Sequence, residues 1–459
     1  MATQVIPQEA LAGKDWEECL YQQGCALMRE EAAHLLKRTD DWLLEQAPSG
    51  WKVVGFRERT MVCRFGAVTI SRRLYQDSEG NYHFLLDEYL GWVAYQAATP
   101  SVGEAAVRLA AISSFREAAG TLEQVTAGVI SSTSVHQLVQ RTAERAIAQE
   151  RQEVEACYER GEEPAGGVRA VPRLYLEADG LYIRLQREKR KHGEILVAIG
   201  YEGWERLPQA REGYRLVGKR VYCQGSGRIP FWEGTVLAFG RQWDWSQIPL
   251  VVLNGDGARW IDEGVEPFER AIRQLDGFHL ARSCYHAGGE AGPVLYEAIR
   301  QGDWEQANEI LSEVPLPKKE GRARGWVEKV IRDELGADWR IQAGVGMEEA
   351  RGLGTMEGNA AQILARRLKG KGMSWSESGA RAMAKVRELL INGELNRWCG
   401  RGAALGGSVQ IPATAIRPRT RRKKDQGEWL QAGVPALYGP QASKPWVKAF
   451  NQRLHPRAY

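Results

Sequence analysis

Residues 173–186 read RLYLEADGLYIRLQ and residues 249–257 read PLVVLNGDG. The second is the most hydrophobic strand candidate in the chain, and each holds an aspartate followed by glycine, Asp179-Gly180 and Asp256-Gly257. Short apolar runs of this kind belong in the middle of a sheet. Carboxylates at the ends of such strands project into a crevice at the sheet edge, where two hard divalent cations roughly 3.5–4 Å apart could be gripped for phosphoryl transfer. The competing reading is a turn, because Asp-Gly and Asn-Gly are the strongest hairpin signals a sequence offers. LYLEA-DG-LYIRL would make a persuasive type I′ hairpin, and VVLN-GDG a turn as well. The residues alone leave both readings open.

Working outward, GEILVAIGYEGWERL (193–207) and YRLVGKRVYCQ (214–224) follow the first run as further strand candidates. A helix is expected over FWEGTVLAFGRQ (231–242), then the strand PLVVLNGDG, a helix over VEPFERAIRQL (265–275) and a strand at DGFHLARS (276–283). Three antiparallel strands followed by helix, strand, helix and strand is the order of an α/β ribonuclease H-like core with a mixed sheet. Residues 287–350 read as mostly helical and interrupt that core like an insertion. MEGNAAQILARRLKG (356–370) and SWSESGARAMAKVRELLING (374–393) read as two helices that complete it.

Upstream, helical periodicity from Asp15 to Gln46 ends at Pro48-Ser49-Gly50. The expected organisation is an N-terminal helical segment (1–50), a small β-containing module with a turn at Ser78 to Asn81 (51–100), and a helical region (101–160). The catalytic core follows in two parts (168–286 and 351–400) around the insertion, with a basic tail at 401–459. Within 101–160, two short helices, a Gly-containing turn and a third helix beginning near Ser132 make a helix-turn-helix pattern. The third helix would present Thr133, Ser134, His136, Gln137, Gln140 and Arg141, residue types that reach base edges and phosphates; a plain helical bundle reads equally well. RPRTRRKK supplies Arg417, Arg419, Arg421, Arg422, Lys423 and Lys424, and the run Arg187 to Lys191 adds further charge. Basic runs favour phosphates but are usually solvated surface.

A third carboxylate is expected from a helix beyond the core strands. Glu357 opens MEGNAAQILARRL and, at ideal helical spacing, shares a face with Ala361, Leu364 and Leu368, where an unpaired acid is costly. The bland alternative is an acid favourably placed in a first helical turn. Glu394 and Glu349 are weaker rivals. Asp276 and His279 in LDGFHL are candidates for an orienting pair or a strand-end pair. Trp375 and Trp260 could stack on an unpaired base, though core packing suits both.

The bulk properties agree. Lysine plus arginine, 62, exceeds aspartate plus glutamate, 58, giving a net charge of +4 that neither demands nor excludes a polyanion. Seven scattered cysteines without a CxxC pair argue for reduced thiols and against structural zinc. The start lacks a signal-peptide pattern, and no apolar run approaches the roughly 20 residues of a membrane helix, so a soluble cytoplasmic protein is expected.

RRLYQDSEGNYHFLLDEYLG, YLEADGLYIRLQ, VVLNGDGARWI, LDGFHL and MEGNAAQILARRLKGKGMSWSESGARAMAKV together carry a resemblance. Over nearly its whole length the chain resembles the ISLre-type insertion-sequence transposases, long filed as an uncharacterised bacterial protein family and related to the Mutator-type DDE transposases. The resemblance implies that Asp179, Asp256 and Glu357 are the acidic triad, holding two Mg2+ ions for which Mn2+ can substitute. The implied substrates are the element's terminal inverted repeats and target DNA, and the implied assembly is a homodimer or larger. One departure is Asn359, where that family often has His. The rivals are a two-metal DNA nuclease or resolvase on the same fold, and a non-catalytic DNA-binding protein derived from a transposase.

Overall fold

A computed structural model describes residues 16–399, apart from 95, 165, 208–212, 226–228, 316–320, 348 and 371. The basic segment carrying Arg417, Arg419, Arg421, Arg422, Lys423 and Lys424 lies outside the described residues. The chain divides into two compact units, one running to residue 146 and including residues from 393, the other spanning 147–392.

In the first unit, α1 (Trp16–Glu45) precedes a long antiparallel hairpin of β1 (Lys52–Cys63) and β2 (Gly66–Gln76). The short strand β3 (Tyr82–His83) joins β2 after a turn in which Asp77 accepts backbone hydrogen bonds from Glu79 and Asn81. The helix α2 (Leu85–Tyr89) places Asp87 in the interior, where Arg59 donates to it at 2.5 Å and Arg72 lies 3.3 Å away. Helices α3 (Pro100–Ile112), α4 (Phe115–Val125) and α5 (Ser132–Val154) follow, α4 opened by a Ser114–Glu117 capping box. The three-helix order and the start of the third helix at Ser132 agree with the sequence reading.

The second unit is built on a five-stranded sheet. Its strands are β4 (Leu174–Arg184), β5 (His192–Tyr201), β8 (Arg220–Gln224), β9 (Val251–Gly255) and β10 (Ala271–Leu275), ordered β10-β9-β4-β5-β8. β5 runs antiparallel to β4 and β8, whereas β9 and β10 run parallel to β4. A separate two-stranded ribbon joins β6 (Gly203–Arg206) to β7 (Tyr214–Val217). On β4, Leu174, Leu176 and Ala178 point into a core with α6 (Phe231–Gly240), Trp243, Val251 and Leu253. Tyr175, Glu177 and Asp179 point to the opposite face.

One pair of open readings is decided, and one expectation is overturned. Asp179-Gly180 is not a hairpin turn: β4 continues through it and stays paired with β5 from Tyr175 opposite Tyr201 to Arg184 opposite His192. The continuous ladder to β5, with Asp179 opposite Val197 and Gly180 opposite Leu196, outweighs the local turn preference. The assignments over 265–283 are also inverted. After the short α7 (Arg259–Asp262), residues 271–275 form a strand, and DGFHLARS begins the helix α8 (Gly277–Gly288). Pairing with β9 draws AIRQL into the sheet. Asp276 then caps the helix, its Oδ1 accepting from the Phe278 and His279 amides at 3.0 and 3.1 Å. Helices α9 (Gly292–Gln301), α10 (Trp304–Glu313) and α11 (Gly321–Arg332) pack with α8 around Leu280, Cys284, Leu295, Ile299, Leu311 and Val330. The short α12 (Trp339–Ala343) closes this helical stretch.

The chain returns to the sheet as α13 (Met356–Ala360), which continues through a π turn (Ala361–Ala365) to Leu368, and then as α14 (Glu377–Ile391), capped by Ser376. α14 covers the open edge of β8: Glu388 accepts from the Cys223 amide at 2.7 Å, and the Asn392 amide group bonds both N–H and C=O of Val221. Buried Lys385 bridges Glu388 and Glu150 at 2.8 and 2.9 Å. Burial pushes the Glu388 carboxyl up to about 7, with Lys385 pulling it back. Lys385→Met is expected to lower unfolding free energy by about 3–5 kcal/mol, because it strands two buried acids; denaturant unfolding measures it. Replacing Glu150, Lys385 and Glu388 together with apolar residues should cost clearly less.

Candidate active site

β4, β9 and β10 run side by side, and each ends or continues in an aspartate. The register pairs Glu177 with Asn254, so Asp179 and Asp256 each lie two residues beyond that pair on adjacent strands. Leu275 pairs with Gly255 at the end of β10, which brings Asp276 beside Asp256. The Asp276 amide donates to the Gly255 carbonyl at 2.7 Å. Gly257, at φ +86°, turns the chain immediately after Asp256 in a left-handed conformation that a side chain would disfavour.

Each aspartate spends one oxygen on a nearby amide. Asp179 Oδ1 accepts from Gly180 at 2.8 Å, Asp256 Oδ1 from Ala258 at 2.9 Å, and Asp276 Oδ1 from the start of α8. Asp276 Oδ2 receives a long bond of 3.4 Å from Asn254. Asp179 is half-buried, and burial is the main reason its carboxyl rises to about 6; the neighbouring Asp256 and Asp276 charges raise it further, while Gly180 and His279 pull it down. All four groups therefore lie within electrostatic reach at the carboxyl edge of the parallel strands.

Behind the aspartates sits a residue the sequence reading did not single out. Glu177 is fully buried and accepts from Tyr201 Oη at 2.7 Å, Asn254 Nδ2 at 3.0 Å and Thr355 Oγ1 at 2.6 Å. It also accepts from the backbone amides of Gly354, Thr355 and Met356 at 3.2, 2.9 and 3.2 Å. Burial raises the Glu177 carboxyl, and the Thr355, Tyr201 and Asn254 bonds oppose that rise. One carboxylate thus ties β4, β5, β9 and the start of α13 together. The available signal was the pair Glu-x-Asp (177, 179) and Asn-x-Asp (254, 256), which puts two polar groups on one face of neighbouring strands.

Glu357 stands in the first turn of α13, but it is exposed. The buried positions of this helical run are Met356, Ala360, Ile363, Leu364, Arg367 and Leu368. The expected sheet-facing position of Glu357 is therefore corrected: Leu364 and Leu368 face inward without it, and the π turn inserts an extra residue that breaks the ideal spacing. Among the described residues no group of three or more His, Cys, Asp or Glu side chains is gathered closely enough to hold a metal ion. The donor chemistry at Asp179 and Asp256 still suits a hard cation, since each keeps an oxygen turned from its amide and Asp179 is short of positive charge. Asn254 Oδ1, buried without a hydrogen-bond partner, adds a neutral oxygen beside them.

Trp375 is buried, its indole N–H bonded to the Leu368 carbonyl at 3.1 Å, and Trp260 packs against the α6 core, so neither offers an open ring face as its main role. On α5, Thr133 and Gln137 are exposed, while Ser134, Gln140 and Arg141 are half-buried. His136, also half-buried, meets the Phe115 ring edge-on at 5.2 Å. Arg187 to Lys191 form an exposed loop. No described helix is long and apolar enough to cross a membrane.

Residues 7–401 match the family described as Uncharacterised protein family (UPF0236). The chain belongs to this family. It is 27% identical over 383 residues to the "UPF0236 protein in vanSb 3'region" of Streptococcus gallolyticus, covering 79% of this chain and 80% of the relative. It is 22% identical to a UPF0236 protein of Caldanaerobacter subterraneus subsp. tengcongensis whose name joins eleven labels from TTE0033 to TTE2212, covering 90% of this chain and 82% of the relative.

Two outcomes are expected from the site. Glu177→Ala, which strands several buried donors, should destabilise this family member by about 3–5 kcal/mol and speed amide exchange at residues 354–356. Asp179 behaves oppositely. Its folded carboxyl titrates near 6 against an ordinary 3.8, so the folded state holds the proton more tightly and stability falls as pH rises through that window. Asp179→Asn should therefore raise unfolding free energy above pH 6 by up to about 3 kcal/mol and have little effect near pH 3, as read by denaturant melts in EDTA.

Proposed function

We propose that this UPF0236 protein is a DNA transposase of the DDE type, cutting phosphodiesters at the ends of an insertion sequence and joining them to target DNA. The observation that carries the reading is the row formed by Asp179, midway along β4, and Asp256 and Asp276, just beyond the ends of the parallel strands β9 and β10, backed by buried Glu177. Numbered along the chain, the sheet order is third, second, first, fourth, fifth, with the second strand antiparallel, as in a ribonuclease H-like core. The eleven labels borne by one relative's name suit a gene carried in many copies, as a mobile element's would be.

A divalent cation held by Asp179 and Asp256, Mg2+ or Mn2+, would supply Lewis-acid stabilisation at the phosphate and make a nucleophile available near neutral pH. Asp179 must give up its proton to serve, so activity should rise through about pH 6. Glu177 keeps the strand ends and the α13 turn in fixed relation, which is the positioning such chemistry depends on. The place of the third acid falls to Glu357, on the helix Glu177 anchors, or to Asp276, the nearer by topology. A second cation rests on that residue. Binding of terminal repeats is assigned to the α3–α5 helices through exposed Thr133 and Gln137, with a dimer holding two ends.

The test is strand cleavage and strand transfer on DNA carrying the element ends, with Mg2+ or Mn2+. Asp179→Ala and Asp256→Ala should each lose at least about 10²-fold in cleavage, the scale for removing one group that stabilises transition-state charge. Comparing Glu357→Gln with Asp276→Asn identifies the third acid. Wild-type cutting by either of the first two variants overturns the assignment. Cleavage without strand transfer would indicate a nuclease, and a wild type that binds the ends without any cleavage, its binding unchanged by all four substitutions, would indicate a non-catalytic descendant.

A further inference from the structure

On the 147–392 unit a broad cleft of about 1050 Å³ opens beside the α13 turn, with none of the three aspartates in its lining. The β6–β7 ribbon lines it with Trp204 and Tyr214, Arg351 lies against the Tyr214 ring, and Arg173 and Lys219 also line it. Thr355, whose hydroxyl donates to Glu177, forms part of the floor.

The charge in the cleft is lopsided. Of the five cationic side chains that line it, Arg215 pairs with Glu205 and Arg340 with Asp338, so Arg173, Lys219 and Arg351 carry its charge beside two carboxylates, Glu202 and Glu349. Glu202 is already engaged by Arg169 at 2.9 Å and by the Trp243 indole at 2.8 Å, so it neutralises little of the cleft. Lys219 is half-buried, and its described hydrogen bond goes to the neutral Asn359 Oδ1 at 3.1 Å. Burial alone lowers its pKa, with no carboxylate opposing. An ammonium kept in such a place is costly unless an anion completes it.

The aromatic rings are held in place. Trp204 packs tilted against Tyr175 at 4.9 Å and edge-on against Tyr201 at 5.4 Å, leaving it half-exposed. Tyr214 is exposed on the ribbon, and the Arg351 guanidinium carbon stands 3.8 Å from its ring centre. A guanidinium ordered on a ring presents both a flat stacking surface and forked donors. Cations interleaved with fixed rings in an open groove are the chemistry that takes unpaired nucleic acid, with phosphates on the cations and bases on the rings. A paired base keeps its faces inside the stack and cannot use the rings.

We propose that this cleft binds a single-stranded stretch of nucleic acid, with phosphates on Lys219, Arg173 and Arg351 and a base against Tyr214 or Trp204. The inference deepens the transposase reading and rests on it for the origin of the strand. The shared turn at Thr355 links the cleft to the residues behind the aspartates, so a strand seated here would continue toward the cutting site.

The experiment uses the full chain in EDTA, with fluorescence anisotropy of a labelled 15-nucleotide single strand and of the matching duplex. Lys219→Gln and Tyr214→Ala are each expected to weaken single-strand binding by about 5- to 30-fold, with duplex binding changed less. Lys219→Gln should also flatten the salt dependence by about 0.7 in log–log slope, one phosphate contact, and Lys219→Arg should restore both; melting temperatures confirm that each variant is folded. Unchanged single-strand affinity in both variants, a wild type that binds no single strand, or equal losses for duplex would each overturn the cleft. Asp179→Ala should bind normally in EDTA. A wild type that never cuts yet holds the strand through Lys219 overturns the transposase reading alone, and one that cuts while both cleft variants bind normally overturns the cleft alone.

Discussion

The buried carboxylate of Glu177 is the constraint around which the second unit is arranged. A single side chain receives donors from β5 through Tyr201, from β9 through Asn254, and from the backbone of residues 354–356. Such a charge in the interior is tolerable only when its lone pairs are nearly all used, and here they are. The consequence is geometric. Residues more than 170 positions apart are held to one strand with little slack, and a helix entering the sheet from a distant part of the chain starts in one defined place.

In front of that carboxylate the electrostatics are set by burial and by the aspartates themselves. Asp179 lies two residues along the same face, and its carboxyl rises because burial and the Asp256 and Asp276 charges both penalise ionisation. A sheet edge that gathers negative charge in a half-buried setting is held in a destabilised state, which a packed protein accepts where the charge has a use. The cleft on the other side of the Thr355 turn has the reverse problem, with Lys219 buried against a neutral partner. Opposite charge imbalances on either side of one anchored turn are the main electrostatic feature of this unit.

The helical stretch between β10 and α13 rests on its own core rather than on the sheet, with Leu280, Cys284, Leu295 and Ile299 fully buried among α8 to α11. It is tied back at few points. Gln274 of β10 accepts from the Trp339 amide at 2.8 Å, while inside the stretch Asp338 is gripped by Arg300 and Arg340. An insertion that satisfies its own apolar surface leaves the sheet order on either side unaltered.

Much of this was legible in the residues. The apolar runs at 174–184, 192–201 and 251–255 and the helices at 231–240 and 377–391 follow from periodicity and composition, which act locally, and Asp179 and Asp256 stood out as candidates by their place in one of those runs and at the end of another. Four things did not follow in this way. Whether Asp179-Gly180 turns or continues depended on β5, because a turn dipeptide stays extended when a ladder runs past it on both sides along the chain. Whether 271–275 is strand or helix depended on β9 lying open beside it. The outward position of Glu357 depended on a π turn four residues later, and the role of Glu177 on donors brought from three distant segments. Local sequence determined which residues could be strands, helices and acids; only the tertiary structure decided which of them meet, because hydrogen bonds and buried charges are satisfied by neighbours in space and not by neighbours along the chain.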